Sequence, residues 1–170
     1  MDWRWILSIP IPFLIWLWIE LVRNEAPPIP LHKDTIRKML KLAKTTKNDI
    51  VYDLGSGDGR ALIIAAKEFH AKSVGIEKNR LLILLSRWII RRNGLNDKIK
   101  IIHGNIFNEN FSEANVVLMY LSKKLTQKLK PKFEKELKGT RIVSASHPII
   151  GWKEVKKIKT GHFNSYLYKL

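Results

Sequence analysis

The stretch Ile50-Val51-Tyr52-Asp53-Leu54-Gly55-Ser56-Gly57-Asp58-Gly59-Arg60 decides how this chain folds. Ile50 to Leu54 is apolar enough to read as a strand, and it runs into three alternating glycines. A helix-like run, Ala61 to Phe69, follows at once. Glycines let the backbone turn tightly and let a ligand come close. The unpaired N–H groups of the helix that opens there lie at the same spot. Strand, glycine loop and helix in this order form a site for a nucleotide-like ligand.

The spacing narrows the ligand. A dinucleotide fingerprint reads G-x-G-x-x-G. Here Gly55, Gly57 and Gly59 alternate, and Arg60 stands where the third fingerprint glycine would fall. There is no G-K-[ST] phosphate loop either. The loop carries Asp53 and Asp58, which repel a pyrophosphate but suit a cationic ligand with an amino group and hydroxyls. S-adenosylmethionine has a sulfonium, an α-amino group and a ribose diol. A second strand, Lys72 to Ile76, ends in Glu77. An acid about 20 positions past the loop is placed to accept hydrogen bonds from ribose hydroxyls. The plainer alternative is an ordinary turn with Glu77 as a solvated strand end. The order of strand, loop, helix, strand and acid outweighs it.

Asp53-Leu54-Gly55-Ser56-Gly57-Asp58-Gly59-Arg60 resembles the first motif of class I, seven-β-strand methyltransferases. Pro30 with Thr35-Ile36-Arg37-Lys38-Met39-Leu40, then Asp49-Ile50-Val51-Tyr52, resembles the small archaeal lysine methyltransferases. Their mitochondrial relatives modify the c-ring protein of ATP synthase and the adenine nucleotide translocase. Val116 to Leu121, Leu129 to Lys132, Glu136 to Ser144 and Gly151-Trp152 are similar to the same family. The resemblance covers roughly residues 27 to 170. It implies an α/β, Rossmann-like mixed sheet of seven strands flanked by helices. It also implies the strand order 3-2-1-4-5-7-6, with the last strand antiparallel. The implied cofactor is S-adenosylmethionine and the expected acceptor is the ε-amine of a protein lysine, with a membrane-embedded protein as one candidate. The expected cofactor-binding residues are Asp53, Gly55, Ser56, Gly57, Asp58, Gly59, Glu77 and Asn105. Tyr120 is the expected substrate-orienting residue. Where the family has Tyr before the Pro30 segment and Thr after its proline, this chain has Pro28 and Leu31.

Composition bounds the rest. A chain of 170 residues fits a single domain with one buried sheet core. It has no cysteine, so disulfides and thiolate metal sites are excluded. Its five histidines are scattered, with no H-E-x-x-H pair, so no metal is expected. Lys and Arg number 31 against 15 Asp and Glu, a net charge of +16. Such a surface attracts nucleic acid, anionic lipid or an acidic protein. A solvated basic surface without a dedicated partner is the alternative.

Residues 1–23 are expected to form an apolar membrane-anchor helix, 24–30 a Pro-rich linker, and 31–170 the methyltransferase domain. Trp5 to Ile19 carries no charge, and Trp3, Trp5, Trp16 and Trp18 lie at its ends. Tryptophan at both ends marks a membrane-interface segment. The run falls short of the roughly 20 residues of a spanning helix, and Pro10 and Pro12 interrupt it. Packing on the domain's own core is the alternative. Arg4 and the amino terminus, opposed by Asp2, precede the apolar run, whereas Arg23, Lys33, Arg37, Lys38, Lys41, Lys44 and Lys47 follow it. Positive charge stays on the cytoplasmic side. The expected arrangement is a membrane held by residues 3–22, with the catalytic domain facing the cytoplasm, or the matrix in a mitochondrion.

Further along, Lys33 to Lys44 has helical periodicity through Ile36, Met39, Leu40 and Ala43. Asn79 to Arg92 is an unusually apolar helix, expected to be mostly core, with Asn93-Gly94 ending it. Ile99 to His103 is a third strand, and Asn105 beyond it has a donor and an acceptor for an adenine edge. Its alternative is a turn residue. Asn115 to Leu121 is a fourth strand, and ligands bind at the carboxyl ends of such strands. Tyr120 there is either an amine-orienting group or a packing residue. The Asn/Asp-Pro-Pro-aromatic tetrad of base-amine methyltransferases is missing, which weighs against nucleic acid as substrate. RNA, or a membrane lipid or quinone, remains the alternative acceptor. Lys123 to Lys138 is a basic helix that Pro131 is expected to kink or split. It is a solvated face or a contact with anionic lipid. Thr140 to Ser144 is a fifth strand. Trp152 to Leu170 holds two more, joined near Thr160-Gly161, with neither face of the last one cleanly polar.

Overall fold

The computed structural model describes residues 30–170. The expected anchor at 3–22 and linker residues 24–29 lie outside the described residues. Among the described residues, no helix is long and apolar enough to cross a membrane.

The elements alternate as a wound α/β chain. They are α1 (Lys33–Leu42), β1 (Ile50–Leu54), α2 (Arg60–Glu68), β2 (Lys72–Glu77), α3 (Arg80–Arg92) and β3 (Ile99–His103). Then come β4 (Val116–Met119), α4 (Lys123–Glu136), β5 (Arg141–Ala145), β6 (Lys156–Thr160) and β7 (Phe163–Lys169). One sheet contains all seven strands in the order β3-β2-β1-β4-β5-β7-β6. The first five run parallel, and β7 is antiparallel to both β5 and β6. This is the topology expected from the resemblance.

The central strands are apolar on both sides because both sides are covered. Val51, Val116, Leu118, Val143 and Ala145 face Ile36, Met39 and Leu40 of α1 and Ala61, Ile64 and Ala65 of α2. Tyr52, Leu54, Val117, Met119 and Ile142 face Leu129 and Phe133 of α4, with Phe111 beside them. The lack of a polar face on β7 has the same origin, since Phe163 and Leu167 pack on the first of these clusters and Tyr166 and Tyr168 on the second. The edge strand β6 carries Lys156, Lys157 and Lys159, charges that discourage pairing with another chain. Behind the sheet's amino edge, Arg141 pairs with the buried Asp49 and also donates to the carbonyls of Ala43 and Lys44, tying β5 to the α1–β1 connection.

Three expectations are corrected. Strand β4 stops at Met119, so Tyr120 and Leu121 belong to the loop beyond it. Helix α4 passes through Pro131 as one element and ends at Glu136. Helix α3 is not mostly core: only Ile83, Ser86 and Ile90 are buried, while Leu84, Leu85 and Trp88 are exposed. A helix against one sheet edge has a single inward stripe, so an apolar composition all round leaves apolar side chains in solvent. Asn79 caps α3, its Oδ1 accepting from the amides of Leu81 and Leu82, and Gly94 at φ +64° follows its end.

Candidate functional site

The carboxyl ends of β1, β2, β4 and β5 open into one cleft of about 740 Å³. Asp53, Gly55, Ser56, Gly57, Asp58, Glu77, Asn105 and Tyr120 all line it. Residues named from the sequence at positions up to 67 apart therefore meet in one place.

Backbone geometry builds the floor. Gly55, Gly57 and Gly59 have φ values of +80°, +55° and +79°, which a side chain would strain. The amides of Gly55 and Ser56 donate to the carbonyl of Ile76 at the end of β2. Gly59 caps α2 without a side chain and lies against Ser86 of α3, where an added Cβ would come within 3.2 Å of the serine Cβ. Gly59 itself is buried under α3 and does not line the cleft, so its part is to let the loop and helix approach.

Glu77 braces the loop. Its Oε2 accepts from the Gly57 amide at 2.9 Å, and its Oε1 accepts from the amides of Lys78 and Asn79 at 2.9 Å each. An ionised carboxylate has about four acceptor sites. Three are taken by backbone, which fixes the side chain and leaves one for a donor in the cleft. The two aspartates differ sharply. Asp58 holds Arg60 through a 2.6 Å ion pair, and Arg60 in turn donates to the carbonyl of Leu31. Burial pushes the Asp58 carboxyl up, but the Arg60 hydrogen bonds and charge outweigh it and hold the carboxyl below its ordinary value. Asp53 has no hydrogen-bond donor among the described residues. Burial, then the charges of Glu77 and Asp58, push its carboxyl up to about 7. An acid left in this condition at the bottom of a cleft fits a cationic group arriving from outside.

The remaining predicted residues are placed less directly. Ser56 lines the cleft, but its Oγ is buried without a hydrogen-bond partner among the described residues, close over Gly75 of β2. Asn105 is exposed, and its Oδ1 accepts from the Phe107 amide at 3.1 Å, leaving its amide N–H groups free to donate. Tyr120 stacks on Phe163, with ring centroids 5.5 Å apart and planes 15° apart. The segment that departs from the family pattern, Pro30-Leu31, does reach the cleft.

Several cleft residues were missed from sequence. Leu125 and Lys128 come from the first turns of α4, and His147 comes from the turn after β5. Ser146 before it has φ +71°, a strained value for a non-glycine residue. The turn is fastened: Ser144 Oγ donates to the His147 carbonyl at 2.6 Å, and Gln127 Nε2 to the Pro148 carbonyl at 2.8 Å. Its position at a strand's carboxyl end was the one available signal.

The sheet order, the glycine loop and the acid ending β2 define a Rossmann-like methyltransferase. The chain belongs to the ANTKMT methyltransferase domain family, whose model matches residues 53–156. It is 46% identical over 148 residues to a protein-lysine N-methyltransferase of Saccharolobus islandicus, covering 85% of this chain and 92% of that one. It is 29% identical over 127 residues to an ATP synthase lysine N-methyltransferase of Xenopus laevis, covering 74% of this chain and 55% of that protein. A crystal structure of an RNA methyltransferase from Salinibacter ruber with S-adenosyl-L-homocysteine superposes with a TM-score of 0.81 at 34% identity. That match covers 83% of this chain and 93% of the other. The chain is an S-adenosylmethionine-dependent methyltransferase.

Proposed function

We propose that this enzyme transfers methyl groups to the ε-amine of lysine in a protein substrate. The observation that carries this reading is the 46% identity to the Saccharolobus protein-lysine N-methyltransferase across nearly its whole length. The acceptor end of the cleft agrees with it. Tyr120, Leu121 and Ser122 stand where a base-amine enzyme would carry its Pro-Pro-aromatic tetrad.

The residues divide the work. Asp53 and Glu77 would hold the amino and ribose groups of the donor, the glycine loop would lie against it, and Asn105 with Ile106 and Phe107 would border the adenine. S-adenosylmethionine, when bound, supplies an electrophilic methyl on a sulfonium. Methyl transfer is an in-line displacement, so positioning supplies most of the catalysis. The lysine must enter as neutral amine, a form that makes up roughly one part in a thousand at pH 7 for a free side chain. The three carboxylates of the cleft all belong to the donor end. Lys128 and His147 face the acceptor end. A nearby lysine cation disfavours the incoming ammonium, and a neutral imidazole has a ring nitrogen that can accept its proton.

Labelled methyl donor incubated with host extract tests this. Acid hydrolysis should yield methyl-lysine from protein. Label confined to RNA would instead favour the second reading, which the Salinibacter RNA methyltransferase supports. Label confined to the lipid extract would favour a lipid or quinone acceptor.

Residues 3–22 hold the enzyme at a membrane, with its catalytic domain on the cytoplasmic side. The tryptophans of that segment and the basic residues from Arg23 onward support this. A membrane-embedded protein substrate suits such placement. Extraction by alkaline carbonate should leave the protein in the membrane fraction, and release of the full chain by salt alone would refute the anchor.

A further inference from the structure

We infer that the outer face of α3 is a docking surface for an anionic lipid bilayer. The helix reads Arg80-Leu81-Leu82-Ile83-Leu84-Leu85-Ser86-Arg87-Trp88-Ile89-Ile90-Arg91-Arg92. Its core-facing stripe is Ile83, Ser86 and Ile90. On the opposite side Leu84 is 63% exposed, Leu85 44% and Trp88 56%. Residues three and four apart lie on one helix face, so Leu84, Leu85 and Trp88 form a continuous apolar patch with the half-buried Leu81 at its end.

The charges around the patch say what covers it. From Lys78 to Asn96 there is no acidic residue, whereas Lys78, Arg80, Arg87, Arg91 and Arg92 are all basic and exposed. The Arg92 guanidinium lies 4.9 Å from the centre of the Trp88 ring. Apolar side chains, a tryptophan and a rim of arginines are the composition of a helix lying in the lipid interface. A second copy of this chain would bring two such basic rims together, and like charges repel. Nucleic acid would use the arginines and the tryptophan but would leave Leu84 and Leu85 in water.

The position of α3 gives the docking a consequence. Leu82 and Leu85 line the catalytic cleft, and so does Pro30, where the chain enters the described domain. Residues 24–30 span at most about 25 Å when fully extended. An anchor at 3–22, if it holds a membrane, would thus keep that membrane within reach of the domain that carries α3. The docking rests on α3 alone, and it gives the proposed lysine acceptor a location close to the membrane surface.

The absence of cysteine allows a clean test in the full-length chain. Leu84→Cys would be labelled with an environment-sensitive fluorophore, and Lys157→Cys on the far sheet edge would be the control. On vesicles of phosphatidylcholine mixed with phosphatidylglycerol, the Leu84 label should shift to the blue and be quenched by nitroxides on lipid tails. The control label should do neither. High salt or phosphatidylcholine alone should weaken the shift. Neither Leu84 nor Trp88 lines the cleft, so a Leu84→Ser, Trp88→Ser double variant should keep its donor affinity while binding the same vesicles more weakly. Vesicle-bound protein with an unshifted Leu84 label would overturn the docking while leaving the anchor standing. A shifted label in a chain whose vesicle binding survives loss of residues 3–22 would support the docking and refute the anchor. A lipid-independent shift that grows with protein concentration would point to a second copy, and a shift with RNA alone to nucleic acid. Either result would overturn the proposal.

Discussion

The two halves of the cleft are built differently. The half under β1 and β2 is made by backbone: three glycines at positive φ, two amides on the Ile76 carbonyl, and a glutamate holding three amides. The half under β4 and β5 is made by side chains, Tyr120, Ser122, Lys128 and His147, that share no local pattern. A methyl donor is the same molecule in every enzyme that uses it, so a backbone cradle serves. An acceptor differs from enzyme to enzyme, and changing it requires only new side chains at strand ends. The division teaches that donor affinity and acceptor choice should respond to different substitutions.

The most damaging change to the donor half should be one that touches no ligand. Gly75 of β2 lies beneath the loop, and a Cβ there would come within 2.5 Å of Ser56 Oγ and 2.6 Å of Leu62 Cδ1. Overpacking of this kind costs about 1–3 kcal/mol and sometimes more. Gly75→Ala is expected at the upper end, because Leu62 is fully buried and the loop above Ser56 is fixed by two hydrogen bonds. Thermal melting should show the loss, and donor binding should weaken with it. Unchanged melting and binding would show that the loop is less rigidly tied to β2 than its hydrogen bonds indicate.

Glu77→Ala comes next. Loss of a hydrogen bond to a charged group costs about 1–3 kcal/mol, so donor affinity should fall by roughly ten-fold to a hundred-fold in calorimetry. Because Glu77 also holds Gly57, Glu77→Gln should recover only part of the affinity. Its amide can replace one acceptor oxygen, and its other end is a donor facing backbone donors.

This asymmetry also explains how much was legible beforehand. The sheet order and the donor half could be inferred because Gly55, Gly57, Gly59 and Glu77 are tied to φ angles and to a fixed sequence separation. The acceptor half was named through Tyr120 alone, since His147 and Lys128 are brought in by tertiary packing of β5 and α4. The outward side of α3 was misjudged for a related reason. Hydrophobicity marks what leaves water, and a run such as Leu81 to Leu85 does not say whether it enters a core or meets something else. The Asp58–Arg60 pairing was hidden too. Asp58 looked available to a ligand, yet the left-handed Gly59 after it brings Arg60 back onto it.

Asp53 sharpens the comparison through pH. Its carboxyl is pushed up to about 7 in the free protein, against an ordinary value of 3.8. The folded state therefore holds its proton more tightly than the unfolded chain, and this group's contribution to stability falls as pH rises from about 4 to 7. A cationic ligand favours the ionised form. Donor affinity should then rise with pH up to about 7, by at most about tenfold per unit, and level off above it. Asp53→Asn should flatten the rise, bind the donor more weakly at pH 8, and make the free protein more stable there. A pH-independent affinity in the wild type would mean that the carboxyl is already ionised at pH 5.

The smallest expected effect on donor affinity, and the one that separates the halves most cleanly, comes from His147→Gln. The His147 backbone is held by Ser144 and the neighbouring Pro148 by Gln127, neither through the imidazole, so the turn should survive the substitution. Glutamine keeps polarity and size but does not take up a proton near neutral pH. Donor affinity should change less than about twofold, because His147 follows β5, which lies beyond β4 from the β1 and β2 ends that carry Asp53 and Glu77. Turnover should fall by about ten-fold to a thousand-fold if the imidazole accepts the lysine proton, within the usual range for a general base or somewhat below it. The pH profile carries the decision. If the imidazole takes the lysine proton, the pH profile of turnover should differ in shape between the wild type and the variant. An unchanged profile with a raised KM would make His147 a wall of the acceptor channel, and lysine deprotonation would then depend on the Lys128 charge and on exclusion of water. Lys128→Met would separate those two, by losing the remaining rate only if the charge is what drives the proton off.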